Sequence, residues 1–222
     1  MDHIGEYRIE RRAVAGTEIE FIVEELRQDC FYPCSISDVV RMFEAIPASD
    51  WAGIKIVVFR QPTRKQNILN SAWGRLSYSG DVVAARNRMV ASGPMVLLDA
   101  VEHGLRLDWS VRLDTDAQEE LDRLREDGHG VERIGNRYRI QVSVDAARET
   151  QLYRTVPHEI GHWFDWLSKV ETPAARGEDF FGLADRYFAR PKREREAFAH
   201  RYADRIGAAL RLSGAIPFDR TA

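Results

Sequence analysis

The chain has 222 residues, of which 44% are hydrophobic and 30% are charged. Lysine and arginine number 32 against 35 aspartates and glutamates, so the formal net charge at pH 7 is −3. Such a balance excludes a general electrostatic attraction to nucleic acid or to an anionic membrane. The length suffices for the core of one domain, or of two lobes sharing a cleft, without disulfide staples.

Residues 1–12 lack the apolar stretch of a secretory signal peptide, and no run in the chain reaches 18 apolar residues. We therefore expect a cytoplasmic protein without a membrane anchor. Cys30 and Cys34 are the only cysteines, and the intervening Pro33 does not suit a structural zinc knuckle. Two buried or loop thiols are expected.

The first predicted elements are helices. Residues 17–20 have the form of a capping box, and apolar residues at helical spacing follow, which predicts an amphipathic helix. Residues 35–38 repeat the signal and predict a second helix that ends at Pro47. Residues 54–59 are nearly all apolar and rich in β-branched side chains, which predicts a strand covered on both faces.

The middle of the chain is predicted to be richer in strands. Residues 73–78 are a candidate strand, whereas the glycines and charges of residues 79–94 predict an exposed loop. Residues 105–113 alternate between apolar and polar side chains, which predicts a strand with one face in water.

A helix and a hairpin are predicted next. Residues 115–128 begin with a capping signal and predict a helix. The pair Gly135 and Asn136 predicts a two-residue turn between strands at 131–134 and 138–144.

The run HEIGH places His158 and His162 four residues apart, with Glu159 directly after the first histidine. Positions i and i+4 share one face of an α-helix, so both imidazoles could bind one cation about 2 Å from each nitrogen. Glu159 could then take a proton from water whose pKa the ion has lowered toward about 7. Apolar residues such as Trp163 follow, which indicates that this helix is buried.

The limits of this helix follow from its proline and from the turn residues beyond it. Pro157 is tolerated only in the first helical turn, so we expect the helix to begin near Thr155, to end near Lys169 and to hold the ion near its amino-terminal end. Residues 172–178 are the best candidate for a flexible connector. Gly161 removes bulk where backbone or substrate could approach.

A catalytic zinc ion usually has three protein ligands and one water, so a third ligand is expected elsewhere. Glu194 and Glu196 lie on one predicted helix and point about 200° apart, so only one can face the metal. Glu194 belongs to an apolar stripe of that helix. Glu196 shares its face with the small residues Ala199 and Ala203, which leave room for a second helix. This pattern favours Glu196 and keeps Glu194 as the alternative.

The HExxH motif and the later run Glu-x-Phe-Ala-x-x-Tyr-Ala resemble the gluzincin metallopeptidases over roughly the carboxyl-terminal third of the chain. The resemblance implies that His158 and His162 are zinc ligands and that Glu159 is the general base. Glu196 has the spacing of the third ligand in the lethal-factor-like group, and Glu194 that of the ImmA/IrrE-type group.

The resemblance also implies the architecture. We expect an α+β, zincin-like fold, with a mixed β-sheet and packed helices in residues 1–150 and a helical half carrying the ligands in residues 151–222. In these peptidases a strand that precedes the motif helix borders the cleft and pairs with extended substrate. Residues 138–144 are the candidate for that strand.

Hydrolysis of an amide also needs a donor for the oxyanion. Tyr187 is a candidate catalytic residue because its segment could fold over the cleft, and His200 is another because it follows Glu196 by one turn. Tyr202 is expected in the core. Asp165 shares a face with the histidines, so it could accept a hydrogen bond from an imidazole or be an ordinary buried aspartate.

The sequence thus predicts a peptidase with Zn²⁺ as cofactor, a peptide or protein substrate, and no nucleic-acid or membrane partner. A protease that cuts one specific protein would be inactive on general substrates such as casein. The alternative is a non-catalytic, metal-stabilised interaction or regulatory module. Glu159 favours the enzyme, because a purely structural site needs ligands but no base.

Overall fold

The computed structural model describes residues 1–63 and 73–220, and the fold is α+β. The strands are β1 (Asp2–His3), β2 (Tyr7–Val14), β3 (Thr17–Glu24), β4 (Cys30–Phe31), β5 (Ile56–Arg60), β6 (Gly74–Ala84), β7 (Arg88–Asp99), β8 (Val101–Glu102), β9 (Arg106–Ser110), β10 (Gly130–Ile134) and β11 (Arg137–Gln141). The helices are α1 (Ile36–Ala45), α2 (Thr115–Glu126), α3 (Val144–Arg148), α4 (Val156–Trp166), α5 (Thr172–Ala175), α6 (Phe180–Ala189) and α7 (Lys192–Leu212).

The main sheet is mixed and has the strand order β1-β6-β7-β5-β3-β2. Strand β5 runs parallel to both β3 and β7, whereas the β2–β3 and β6–β7 pairs are antiparallel. Val57 and Val58 point to opposite faces of β5 and both are fully buried. The predicted strand covered on both faces is therefore confirmed.

A second sheet, of order β10-β11-β9, carries helix α2 on one face. Leu121 and Leu124 of α2 pack against Ile140 of β11 in a small core of their own. The predicted hairpin, strand and helix of this region are confirmed in kind, with a turn at Gly135 (φ 58°). The second hairpin strand ends at Gln141 instead of residue 144, and the helix cap is Asp114, one residue before the predicted start.

The helix predicted from residues 17–20 is wrong, because these residues begin strand β3. Ala15 and Gly16 have positive φ angles of 47° and 81° and form a two-residue turn that pairs β3 with β2. Ile19 and Phe21 alternate with glutamates and are fully buried. The two-residue period and the turn outweigh the capping pattern.

The exposed loop predicted at residues 79–94 is also wrong. Strands β6 and β7 continue through it and meet at a tight turn in which Arg86 and Asn87 have positive φ angles of 59° and 55°. The predicted strand at residues 73–78 is thus the first part of a long hairpin.

Helix α1 and the two cysteines agree with prediction. Ser35 Oγ accepts a hydrogen bond from Asp38 N–H at 3.1 Å, and the Asp38 carboxylate accepts one from Ser35 N–H at 2.9 Å, which is a complete capping box. Cys30 and Cys34 are free and buried.

Helices α3, α4 and α5 form one continuous helical run, joined by π-helical turns at Glu149–Thr155 and Leu167–Glu171. The α-helical segment that carries the motif begins at Val156, close to the predicted Thr155. The helical run itself starts earlier, at Val144, so the predicted position of the site near a helix start is wrong. The wider π turn accommodates Pro157, and the Val156 N–H bonds the Gln151 carbonyl five residues back.

The largest apolar cluster includes residues from both sides of residue 150, so the sheet and the helical half share a core. Its members include Val57, Phe59, Val96, Leu98, Ile160, Trp163 and Tyr202. Among the described residues, no helix combines the length and the apolar character needed to cross a bilayer.

Candidate metal centre

The site lies where α4 packs against α7, and Gly161 sets the distance between the two helices. A Cβ atom on Gly161 would lie 3.1 Å from the Cα and carbonyl oxygen of Ala199 and 3.0 Å from the Tyr202 ring. Ala199 itself is fully buried. The absence of a side chain at Gly161 therefore allows the backbones to approach closely.

This approach brings His158, His162 and Glu196 together. Glu196 Oε2 lies 3.4 Å from His158 Nε2 and 3.4 Å from His162 Nε2. The two imidazoles hold the pKa of Glu196 well below its ordinary value through these contacts. The three side chains form a cluster that could hold a metal ion.

The two distances from Glu196 to the histidines suit a small tetrahedral ion. Two ligand atoms that each lie about 2.1 Å from such an ion are about 3.4 Å apart, which is the separation found here. Glu194, the alternative ligand, has a side chain that is 60% exposed and lies 3.7 Å from Arg190. Of the two glutamates, only Glu196 approaches the histidines.

Glu159 is buried beside this cluster, with 7% of its surface exposed. Its Oε2 accepts a hydrogen bond from the Leu76 N–H of β6 at 2.6 Å. Burial raises the pKa of Glu159, while His158, His162 and the Leu76 N–H oppose that rise.

A cleft of about 380 Å³ opens onto the cluster. The three clustered side chains and Glu159 line it together with part of β6 and the start of α7. The remaining lining residues are Gly74, Arg75, Leu76, Tyr78, Lys192 and Arg195.

The prediction that residues 138–144 border the cleft is wrong, because that strand lies in the second sheet. The bordering strand is β6, whose Leu76 contacts Glu159 directly. Gly74 is tightly enclosed, since a Cβ there would lie 2.7 Å from the Leu97 carbonyl oxygen.

Tyr187 lies in α6 with 2% of its surface exposed, behind the cleft rather than on its wall. Its hydroxyl is 3.1 Å from the hydroxyl of Tyr78, which does line the cleft. Burial raises the pKa of both phenols. Tyr202 is in the core as predicted, and its hydroxyl donates to Asp50 at 2.8 Å.

His200 packs against His158, with ring centroids 4.4 Å apart. Burial, together with the charges of His158 and Arg123, lowers the pKa of His200 to about 3, so its imidazole is neutral at pH 7. The buried Nδ1 of His158 has no hydrogen-bond partner among the described residues. The described contacts of the His158 ring are thus its packing on His200 and His162 and the contact of its Nε2 with Glu196.

Asp165 does not accept the hydrogen bond from an imidazole that the sequence suggested. Its side chain is 1% exposed, one carboxylate oxygen accepts from Lys169, and the other accepts from Arg190 at 2.8 Å. The buried Asp165 carboxylate and its partly exposed cationic partners tie α4 to the end of α6.

Six residues of the cleft wall were not predicted as site residues, and Tyr78 and Arg195 are the two with functional side chains that concern the proposals below. Tyr78 ends a predicted strand, and Arg195 stands beside Glu196 in a run of charges that resembled a solvated helix start. The only sequence signal for Arg195 was its position next to Glu196, and no local feature of the sequence marked Tyr78 as a cleft residue.

Comparisons of the chain with family models, with curated proteins and with solved structures found no match. The case for the site therefore depends on its residues and their geometry.

Proposed function

We propose that this protein is a zinc-dependent peptidase in which His158, His162 and Glu196 bind Zn²⁺ and Glu159 is the general base. The observation that carries the proposal is a buried Glu159 carboxylate in the same cleft as three potential ligands. A site that only stabilises a fold has no need of this additional carboxylate.

The ligand set supports zinc. Two imidazoles and one carboxylate bind the ion in several catalytic zinc sites, and three protein ligands leave one position open. When bound, Zn²⁺ supplies Lewis acidity, which lowers the pKa of water toward about 7 and polarises a carbonyl group.

Glu159 would accept the proton of the attacking water and later deliver it to the leaving amine. The Leu76 N–H holds Oε2, which leaves Oε1 for proton transfer. Burial favours the protonated form of this carboxylate, which suits a group that has to take up a proton from water.

Tyr78 is the oxyanion donor in this proposal. Its raised pKa keeps the phenol protonated at neutral pH, so it can donate a hydrogen bond. Tyr187 would act through Tyr78 by fixing its hydroxyl, and His200 would hold the ring of His158.

The outer edge of β6 would receive the substrate backbone. One edge of β6 pairs with β7, and on the other edge only Val82 and Val83 pair with a strand within the described part of the chain. Gly74, Leu76 and Tyr78 line the cleft at this edge. An extended peptide could therefore add as a strand beside Glu159.

The test combines metal analysis with a proteome-wide cleavage assay of wild type and Glu159→Gln. We expect about one zinc ion per chain in both proteins and a loss of cleavage of about 10²–10⁴-fold in the variant. Absence of zinc from wild type would refute the metal site. If the Glu159→Gln protein binds zinc and keeps the full effect that wild type has in cells, the protein is instead a non-catalytic module.

A further inference from the structure

Three cationic side chains line the cleft, and they differ in how they are paired. The guanidinium of Arg75 contacts the carboxylate of Asp2. Lys192 Nζ lies 4.0 Å from Glu196 Oε1. No carboxylate of the described residues lies within ion-pair distance of Arg195, whose buried Nε also has no hydrogen-bond partner there. Arg195 is thus the cleft cation with unused donors.

Arg195 is held in place by aromatic rings. Its guanidinium carbon lies 5.4 Å from the ring centroid of Phe188 and 5.8 Å from that of Tyr187. Phe188 and Tyr187 also pack against Tyr78, which forms the neighbouring part of the cleft wall. A guanidinium fixed on aromatic faces loses less freedom on binding an anion than a mobile lysine does.

The charge of the cleft indicates what would bind there. Glu159 and Glu196 are the acids among its described lining residues, and a divalent ion would offset their charge. Lys192 and Arg195 would then leave the cleft positive. The planar fork of an arginine matches a carboxylate, with which it can form two parallel hydrogen bonds.

We propose that Arg195 binds a carboxylate of the substrate, so that the site selects peptides with an acidic residue or a free carboxyl terminus beside the scissile bond. This specificity rests on the proposed peptidase function. It assigns Arg195 to recognition rather than to the chemical step.

The experiment measures binding without turnover, in zinc-loaded Glu159→Gln protein. The probes are fluorescein-labelled, carboxyl-amidated alanine–serine decapeptides with one Glu moved through every position, each matched by its Gln counterpart. A further pair has no acidic residue and differs only in a free or amidated carboxyl terminus. Fluorescence anisotropy gives each Kd.

We expect Glu at one position, or the free carboxyl terminus, to tighten binding about tenfold. Adding Arg195→Gln should abolish that preference while the zinc content stays the same. Arg193→Gln is the matched control, because it removes the same charge from an exposed position of α7 outside the cleft wall, and it should keep the preference. Arg195→Lys keeps the positive charge without the planar guanidinium, so it should retain only part of the preference for acidic peptides. This second variant keeps the proposal testable if Arg195→Gln fails to bind zinc.

Equal affinities for all Glu and Gln pairs and for both termini would overturn the assignment, as would a preference that survives Arg195→Gln. Cleavage of the same peptides by wild type tests the two proposals separately. Selective binding without cleavage would contradict the peptidase and leave the carboxylate site standing. Cleavage without any preference for acidic peptides or a free carboxyl terminus would support the peptidase and contradict the carboxylate site.

Discussion

At the scale of single residues, Glu194 and Glu196 stand on either side of Arg195, and we expect opposite results when each is replaced. Glu196 contacts both histidines, whereas Glu194 is exposed. Glu196→Gln should therefore lower zinc affinity by more than the 10–100-fold typical of changes to residues that merely orient ligands. Competition with a chelator measures this, and Glu194→Gln should leave the affinity unchanged. Equal losses in both variants would contradict the assignment.

Asp165 is a residue whose role is structural. Asp165→Asn replaces a buried carboxylate that pairs with Lys169 and Arg190 by a neutral amide that satisfies these partners less well. We expect the free energy of unfolding to fall by about 1–2 kcal/mol, because Lys169 and Arg190 both keep contact with water and are not left as buried charges. Urea unfolding in EDTA measures the change. The exposed Asp204→Asn is the control and should shift stability little.

The sequence revealed the site residues that the two helical motifs carry and missed those that the sheet contributes. His158 and His162 are related by the helical period and Glu159 is their neighbour in the chain, so their proximity was predictable, whereas Glu196 was found through its own motif. Tyr78 reaches the site through the pairing of a distant strand, which no local period encodes. Whether Tyr187 would face the cleft or lie behind it likewise depended on the packing of α6.

At the scale of elements, the contact between α4 and α7 should be intolerant of one methyl group. Gly161→Ala would force the Cβ against the backbone of Ala199, which cannot move without separating the ligand helices. We expect a loss of about 1–3 kcal/mol in unfolding free energy, together with weaker zinc binding.

The matched control for that substitution is Gly207→Ala on α7. Its new Cβ would meet only the flexible end of the Arg211 side chain at 3.0 Å. Alanine is also the better helix former, so this variant should be neutral or slightly stabilised. Thermal unfolding and zinc titration of both variants measure the difference. Equal stability and equal zinc affinity of the two variants would show that the close approach of α4 and α7 at Gly161 is unimportant.

Elements were mispredicted where a turn decided the outcome. Residues 17–24 carry apolar positions compatible with either a helix or a strand, and the positive-φ turn at Ala15 and Gly16 selects the strand. The turn at Arg86 and Asn87 likewise converts a polar segment into paired strands. Composition alone undervalues such turns, because a few backbone angles determine many hydrogen bonds.

At the scale of the whole molecule, the second sheet and the helical run meet at a buried histidine. His129 lies 2.9 Å from Thr150 Oγ1, which donates to Asp127 at 2.7 Å. Burial lowers the pKa of His129 in the folded protein. As pH falls below about 6.5, the unfolded chain therefore takes up a proton before the folded one does, and stability is lost.

We expect His129→Gln to reduce the acid sensitivity of stability by up to about 1.4 kcal/mol per pH unit below pH 6.5. Urea midpoints at pH 7.5, 6.5 and 5.5 in EDTA measure it. His3→Gln is the control, since it removes an exposed histidine that lies outside this hydrogen-bonded group. Some acid sensitivity should persist, because His200 also has a lowered pKa. An unchanged slope in His129→Gln would contradict this account.

The α+β fold class of the whole molecule was predictable from the sequence. The α+β class follows from the predicted mixture of strands and helices and from the resemblance of the motifs, although residues 17–24 and 79–94 were not predicted as strands. The order of strands in the main sheet was not predictable, because β1 joins it through β6, far along the chain. Long-range pairing of this kind depends on the assembled core.

The two π turns on either side of α4 allow the histidines to keep their orientation when the chain changes length beside them. A π turn contains roughly one residue more than an α turn, and each residue of an α-helix corresponds to about 100° of rotation. Loss of one residue from Glu149–Thr155 could therefore be absorbed by a return to α-helical geometry, whereas loss of Ile160 would rotate His158 by about 100° relative to His162. Deletions within α4 would thus be far more damaging than deletions in the flanking π turns.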